Sequence, residues 1–150
     1  MPEYLVTMVD KFTFKVATDR LYTSQGAWAR LEETGRVRMG VSDFLQQSSG
    51  DVAFAEVKAE GTELATGDEL ASIETIKVNI SLPTPVRGTL VAANPAMETG
   101  PEIINADPYG EGWLAEIEPA DWEGDRAQLL DAQAYFTVMK ARAEEEAKKP

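Results

Sequence analysis

Ile73-Glu74-Thr75-Ile76-Lys77-Val78-Asn79-Ile80-Ser81-Leu82 is the stretch whose reading decides the fold. Residues 76, 78, 80 and 82 are apolar and alternate with polar or charged residues at 77, 79 and 81. A period of two, rich in β-branched side chains, marks a strand rather than a helix. It gives one buried face and one wet face, with Lys77 on the wet face. From Gly61 to Thr84 Lys77 is the only basic residue, whereas Glu63, Asp68, Glu69 and Glu74 are acidic. An ammonium on a rigid β scaffold inside an acidic surround serves either as a salt-bridge partner or as an address for an enzyme that modifies that one lysine. Alternation alone favours the plain solvated lysine.

Outward from this stretch, composition sets bounds. A chain of 150 residues fits one domain, and its 43% apolar content is ordinary for a globular fold. The formal net charge of −12, from 14 basic and 26 acidic residues, argues against nucleic acid and against anionic membrane surfaces. An acidic carrier or a partner of basic protein surfaces fits better. Without cysteine there is no disulfide framework and no thiol nucleophile. Without histidine, the usual zinc sites, the serine and cysteine triads and imidazole acid–base chemistry lose their ligand or base. No loop has EF-hand spacing, and no metal site is expected. No apolar run is long enough to span a bilayer. Met1 to Asp10 lacks the basic and apolar regions of a secretory signal, so a cytoplasmic protein is expected.

Along the chain, Lys11 to Val16 alternates, and residues 1–20 form an N-terminal extension that adds a strand or packs as an arm. Leu21 to Leu31 and Arg36 to Val41 read as two strands joined at Glu33-Thr34-Gly35, where glycine permits positive φ. Ser42-Asp43 caps a short helix that ends near Gly50. Asp51 to Val57 alternates, with Val52, Phe54 and Ala55 sharing the interior. Gly61 and Gly67-Asp68 mark turns before the central hairpin, which Pro83 and Pro85 end. Thr89 to Ala93 is a further strand, Asn94 to Pro101 a loop or a single helical turn, and Asp107 to Gly112 a turn leading into a strand from Trp113 to Ile117.

Many short strands cut by Gly and Pro predict a compact barrel or sandwich over residues 21–124. Leu129, Ala132, Phe136 and Met139 recur at helical spacing, and Asp125 with Gln128 resembles a capping box. Residues 125–150 are thus read as an amphipathic helix docked on the β domain, with a tail from Glu144 that frays. Tyr109, Trp28, Trp113 and Trp122 read as packing rather than a binding surface. The pairs Glu32-Glu33 and Asp68-Glu69 read as solvated turns, and Tyr109 to Gly112 lacks the spacing and lysine of a phosphate loop. No ordinary catalytic site emerges.

Several motifs together carry a resemblance. Glu74-Thr75-Ile76-Lys77-Val78 resembles the lipoylation site of the glycine-cleavage H proteins, where Glu-Ser-Val-Lys-Ala is typical. Pro85-Val86-Arg87-Gly88 is similar to the family's Pro-Val-x-Gly turn. Pro101 to Asn105, followed by Asp107-Pro108-Tyr109-Gly110-Glu111-Gly112-Trp113, is similar to its most distinctive stretch. Gly50-Asp51 and Leu130-Asp131-Ala132 before Tyr135 fit as well, so the likeness runs in order from about Leu21 to Tyr135. It implies a lipoyl-domain-like, mostly β flattened barrel or sandwich (a barrel-sandwich hybrid) with a C-terminal α-helix. It also implies a carrier and not an enzyme. Lipoic acid would be amide-linked to Lys77 as a swinging arm whose dithiolane does the chemistry. Glu74, and Gly61 sixteen residues before the lysine, would help the lipoate-attaching enzyme recognise the hairpin.

The likeness breaks at one implied site. A Ser-His-Glu-Trp run of the family aligns with Gln25-Gly26-Ala27-Trp28, and an aspartate four residues after the lysine is here Ser81. In the family these groups line a cleft that shelters the methylamine on the arm. Ala27 and Ser81 offer no counter-charge to a buried cation, which is costly without one. These departures favour the H-like lipoate-binding proteins of bacterial sulfur oxidation, working with a heterodisulfide-reductase-like complex. The runner-up is a true glycine-cleavage carrier, whose partners are the pyridoxal-phosphate decarboxylase, the folate-dependent aminomethyltransferase and dihydrolipoyl dehydrogenase. An unmodified acidic interaction module and an enzyme in its own right remain as readings from other classes.

Overall fold

The computed structural model describes residues 3–149. In chain order the strands and helices are β1 (Tyr4–Val9), β2 (Phe12–Ala17), β3 (Leu21–Tyr22), β4 (Ala27–Leu31), β5 (Val37–Val41), α1 (Asp43–Ser49), β6 (Val52–Val57), β7 (Glu63–Leu64) and β8 (Glu69–Thr75). There follow β9 (Asn79–Pro83), β10 (Gly88–Ala93), α2 (Ala96–Thr99), α3 (Ile103–Ala106), β11 (Ala115–Pro119), α4 (Trp122–Arg126) and α5 (Ala132–Ala147). No described helix is long and apolar enough to cross a membrane.

All strand pairs are antiparallel. One sheet runs β3-β4-β5-β11-β10-β7, a second runs β6-β8-β9, and β1-β2 form a separate hairpin. Met39, Val41, Leu90 and Ile117 of the first sheet meet Val52, Ala71, Ile73 and Leu82 of the second in one core. The sheets stay open, so the mostly β architecture with its C-terminal helix is a sandwich rather than a closed barrel. Alternation along each strand supplies the inward faces from which this core is made.

A second apolar cluster joins the N-terminal hairpin to α5. Phe14 and Val16 lie there with Trp28, Phe44, Tyr109, Tyr135 and Met139. Residues 4–17 thus form a full hairpin, from Tyr4↔Ala17 to Val9↔Phe12, and also pack as an arm. The rings of Tyr22 and Tyr135 stack at 4.5 Å, nearly parallel.

Several expectations need correction. Leu21 to Leu31 is not one strand: Thr23 N–H donates to the Ala27 carbonyl, Gly26 N–H to that of Thr23, and Gly26 takes φ 100°. Phe54 is 68% exposed rather than interior. A bulge between Val52 and Phe54 inserts one residue, which reverses the side to which the following side chains point. Asp125 does not cap the last helix. It binds the backbone N–H and guanidinium of Arg87, while Asp131 caps α5 by accepting from the Ala134 N–H. The face of α5 that is buried consists of Ala132, Tyr135, Met139 and Ala143, and the helix continues to Ala147 through the acidic run expected to fray. The last strand of the first sheet begins at Ala115 and not at Trp113, whose ring lies under the Arg38 guanidinium.

Candidate functional site

The central stretch does not run on as one strand. β8 ends at Thr75, β9 begins at Asn79, and Ile76, Lys77 and Val78 form the turn between them. Ile76 and Val78, expected to be buried by their alternation, are instead 74% and 48% exposed. Lys77 therefore stands at a hairpin tip between two exposed aliphatic residues, not on the flank of a strand.

Thr75 makes the tip rigid. Its buried hydroxyl lies 2.6 Å from the Ser49 carbonyl, to which it donates. The same oxygen accepts from the backbone N–H groups of Lys77 at 3.2 Å and Val78 at 3.0 Å. One side chain thereby closes the turn locally and ties it to the end of α1. The Ile76 N–H adds a bond to the Asp51 carbonyl at 3.0 Å.

Beneath the lysine lies Gly50, at φ 90°. A Cβ added there would sit 3.0 Å from Lys77 Cδ, so the lysine stem lies directly over the glycine. Asn105 fixes this loop: its amide N donates to the Gly50 carbonyl at 3.1 Å, and its Oδ1 accepts from the Val52 N–H at 2.8 Å. Lys77 Nζ donates to the Ser48 carbonyl at 3.2 Å. Among the described residues it pairs with no carboxylate. Thr75, Gly50 and Asn105 are the supports that the strand pattern does not reveal. The signal for Thr75 was its place two residues before the lysine, where a threonine hydroxyl mimics a backbone turn.

The expected acidic surround is not assembled around Lys77. Glu74 is exposed at the same end of the hairpin, opposite Asn79. Glu69 lies at the other end, opposite Pro83, where it accepts a short hydrogen bond from Ser81 and pairs with Lys58 at 3.5 Å. The Ser81 bond holds the Glu69 carboxyl below its usual range. Asp68 caps the backbone of Ala65. Gly61 bonds to the Leu90 carbonyl in an exposed turn beyond the Ala71 end of β8, a strand length from Lys77.

The five residues expected around the arm are likewise scattered. Gln25 is exposed, Gly26 lies against Ser42 and Tyr135, and Ala27 points into the main core. Trp28 is fully buried in the second cluster, its indole N–H donating to the Pro108 carbonyl at 3.1 Å. Ser81 is on the solvent face of β9. There its hydroxyl donates to the Glu69 carboxylate.

Comparison with known proteins agrees with this geometry. A model of the family described as Glycine cleavage H-protein matches residues 20–142. A glycine cleavage system H protein of Bacteroides fragilis is 42% identical over 80% of this chain and 94% of its own length. A probable glycine cleavage system H protein of Thermococcus kodakarensis is 36% identical over 89% of the chain and 99% of its own. The crystal structure of a glycine cleavage system H protein from Mycobacterium marinum superposes with a TM-score of 0.72 at 29% identity, covering 80% of this chain and 95% of that one. With the lysine-tipped hairpin and the open sandwich in place, the chain belongs to the glycine cleavage H-protein family, whose members are non-catalytic carriers of lipoic acid bound covalently to a lysine.

Proposed function

We propose that Lys77 is the lipoylated residue and that the chain carries the aminomethyl group of glycine among the glycine cleavage enzymes of the cytoplasm. The decarboxylase, the aminomethyltransferase and dihydrolipoyl dehydrogenase are the partners in this reading. The observation that carries it is the lysine at the turn of a hairpin whose base is pinned by Thr75, with an amine that pairs with no carboxylate among the described residues.

The residues fit the group. Acylation of Nζ removes the charge but leaves one N–H, enough to keep the bond to the Ser48 carbonyl. No buried counter-ion is stranded by the loss. When bound, the lipoyl dithiolane supplies the redox and group-transfer chemistry. The protein contributes a fixed pivot, and tethering raises the concentration of the arm's end at each partner. Glu74, exposed beside the turn, is positioned for reading by the attaching enzyme, whereas Gly61 enters only if that enzyme spans the whole hairpin.

A sulfur cargo rested on Gln25, Gly26, Ala27 and Ser81 forming one uncharged cleft. Ala27 faces the core and Ser81 the solvent, so their substitution says little about the cargo. The names of the relatives favour the aminomethyl group.

Co-expression with a lipoate ligase and intact mass measurement tests the attachment. One lipoyl increment is expected, absent in Lys77→Arg. No increment on the natural chain removes the carrier reading. Incubating the lipoylated protein with glycine and the decarboxylase then tests the cargo, and efficient lipoylation without aminomethyl loading removes the aminomethyl reading.

A further inference from the structure

The two edges of the N-terminal hairpin differ. On β2 the outward main chain is closed by side chains. Lys15 N–H donates to the Asp43 carboxylate at 3.0 Å, the Tyr109 hydroxyl to the Lys15 carbonyl at 2.7 Å, and Gln47 to the Thr13 carbonyl at 2.9 Å. The Ala17 carbonyl accepts from the Tyr22 hydroxyl at 2.6 Å. Ala17, Lys15 and Thr13 lie opposite Tyr4, Val6 and Met8 of β1. In an antiparallel ladder, residues directly opposite turn their main chains either toward each other or both away. The N–H and C=O groups of Tyr4, Val6 and Met8 therefore face the outer edge of β1, where they meet no hydrogen-bond partner among the described residues.

The same three residues expose apolar side chains, at 41%, 55% and 68%. Natural edge strands are blunted by charge, proline, a bulge or brevity. Here β7 has two residues, β6 carries a bulge, β9 ends in Pro83, and Tyr22 of β3 is bridged to Leu130. From Tyr4 to Val9 there is no charge, no proline and no bulge.

We infer that this edge binds a second copy of the chain, β1 against β1 in an antiparallel, two-fold pair centred on Val6. A two-fold contact needs a patch that complements itself. In this register Val6 faces Val6 of the other copy and Tyr4 faces its Met8, each facing pair exchanging both main-chain hydrogen bonds. The Tyr4 ring then meets a thioether, a favourable contact. Sliding the register a step either way carries Tyr4 or Met8 past the end of the facing strand. Charge also permits a like partner. Residues 3–17 hold Glu3, Asp10, Lys11 and Lys15, so the hairpin is neutral although the chain carries −12. Centring on Val6 sets Glu3 opposite Val9, and like charges do not face each other there.

Such a pair leaves the carrier site open. Val9, Asp10 and Phe12 border the space beside Lys77, so the lysine stands at the turn end of the hairpin. Antiparallel pairing puts the two turn ends, and with them the two lysines, at opposite ends of the joined sheet. One strand edge and three side chains from each copy make a small interface, the size of transient rather than permanent contacts.

Sedimentation of the full chain tests the pairing. The mass is expected to rise from 16.4 kDa toward twice that value between micromolar and millimolar concentration. Added salt, which screens repulsion between the acidic bodies, is expected to strengthen the association. Val6→Lys sets like charges face to face, and Val6→Pro removes an outward N–H that β2 does not use. Each variant is expected to stay at the single-chain mass with circular dichroism unchanged. Hydrogen exchange on the natural chain locates the contact. The amides of Tyr4, Val6 and Met8 are expected to slow as concentration rises, whereas those of Leu5 and Thr7, which face β2, stay slow throughout. A single-chain mass up to millimolar concentration overturns the inference, as does a dimer that both folded variants retain. Protection of the three amides that appears only on adding the decarboxylase assigns the edge to a partner's strand and overturns the second copy as well.

Discussion

The aliphatic stem of Lys77 rests on Gly50: Lys77 Cδ lies 3.0 Å from where a Cβ on that glycine would be. Gly50 also has φ 90° with ψ −173°, an extended positive-φ conformation that is essentially confined to glycine and costs another residue about 1–3 kcal/mol. Gly50→Ala is therefore expected to lower unfolding free energy by about that amount and to push the lysine off its seat. Urea denaturation measures the first effect. The rate of lipoylation by a ligase measures the second, which should fall relative to the natural chain.

Thr75→Val keeps the shape and removes the hydroxyl that serves the Ser49 carbonyl and two turn N–H groups. Leaving such buried groups unpaired costs about 1–3 kcal/mol. Hydrogen exchange at the amides of Lys77 and Val78 is expected to accelerate, while Thr75→Ser, which keeps the oxygen, stays near the natural rate. Equal exchange in the two variants would mean that the hydroxyl does not hold the turn.

Alkaline stability should report the second apolar cluster. Burial raises the Tyr135 hydroxyl from 10.0 to about 12, and burial likewise drives Tyr22 and Tyr109 upward. In the unfolded chain these phenols ionise near pH 10. Above that pH the unfolded state binds fewer protons than the folded one, so stability falls as pH rises. The contribution is complete below pH 10 and is lost through the folded value, about 2–3 kcal/mol for Tyr135 on the scale of 1.36 kcal/mol per pKa unit. Urea midpoints measured from pH 8 to 11 should drop most steeply above 10, and Tyr135→Phe should flatten that drop.

The true helix cap is also open to measurement. Asp131→Ala removes the acceptor of the Ala134 N–H and is expected to cost about 1 kcal/mol, within the usual range for an N-cap. Asp125→Ala acts through Arg87 instead. Helical content by circular dichroism should fall only for the Asp131 variant.

Much of this was legible in the sequence. Gly35 at φ 88°, Ser42 accepting from the Leu45 N–H, and helix α1 ending at Gly50 follow from local chemistry, because a turn glycine or an N-cap needs only its own neighbours. Packing of the aromatic residues was legible too, as the burial of Trp28 and Tyr109 shows. Parity was not. One residue inserted opposite Thr75 and Glu74 turned Phe54 outward, and no sequence rule announces a bulge set by the partner strand. The helix cap failed for a similar reason: Asp125 and Asp131 are both competent caps, and Arg87, 38 residues away, takes the first.

The order of strands and turns, the lysine motif and the family were determined by the sequence itself, because each depends on residues close together in the chain or on a run of motifs in order. What supports Lys77 and which segments surround it were decided only by tertiary structure. Those answers depend on Thr75 reaching Ser49, Asn105 reaching Gly50 and the first hairpin meeting the last helix, contacts between segments distant along the chain that local pattern does not encode.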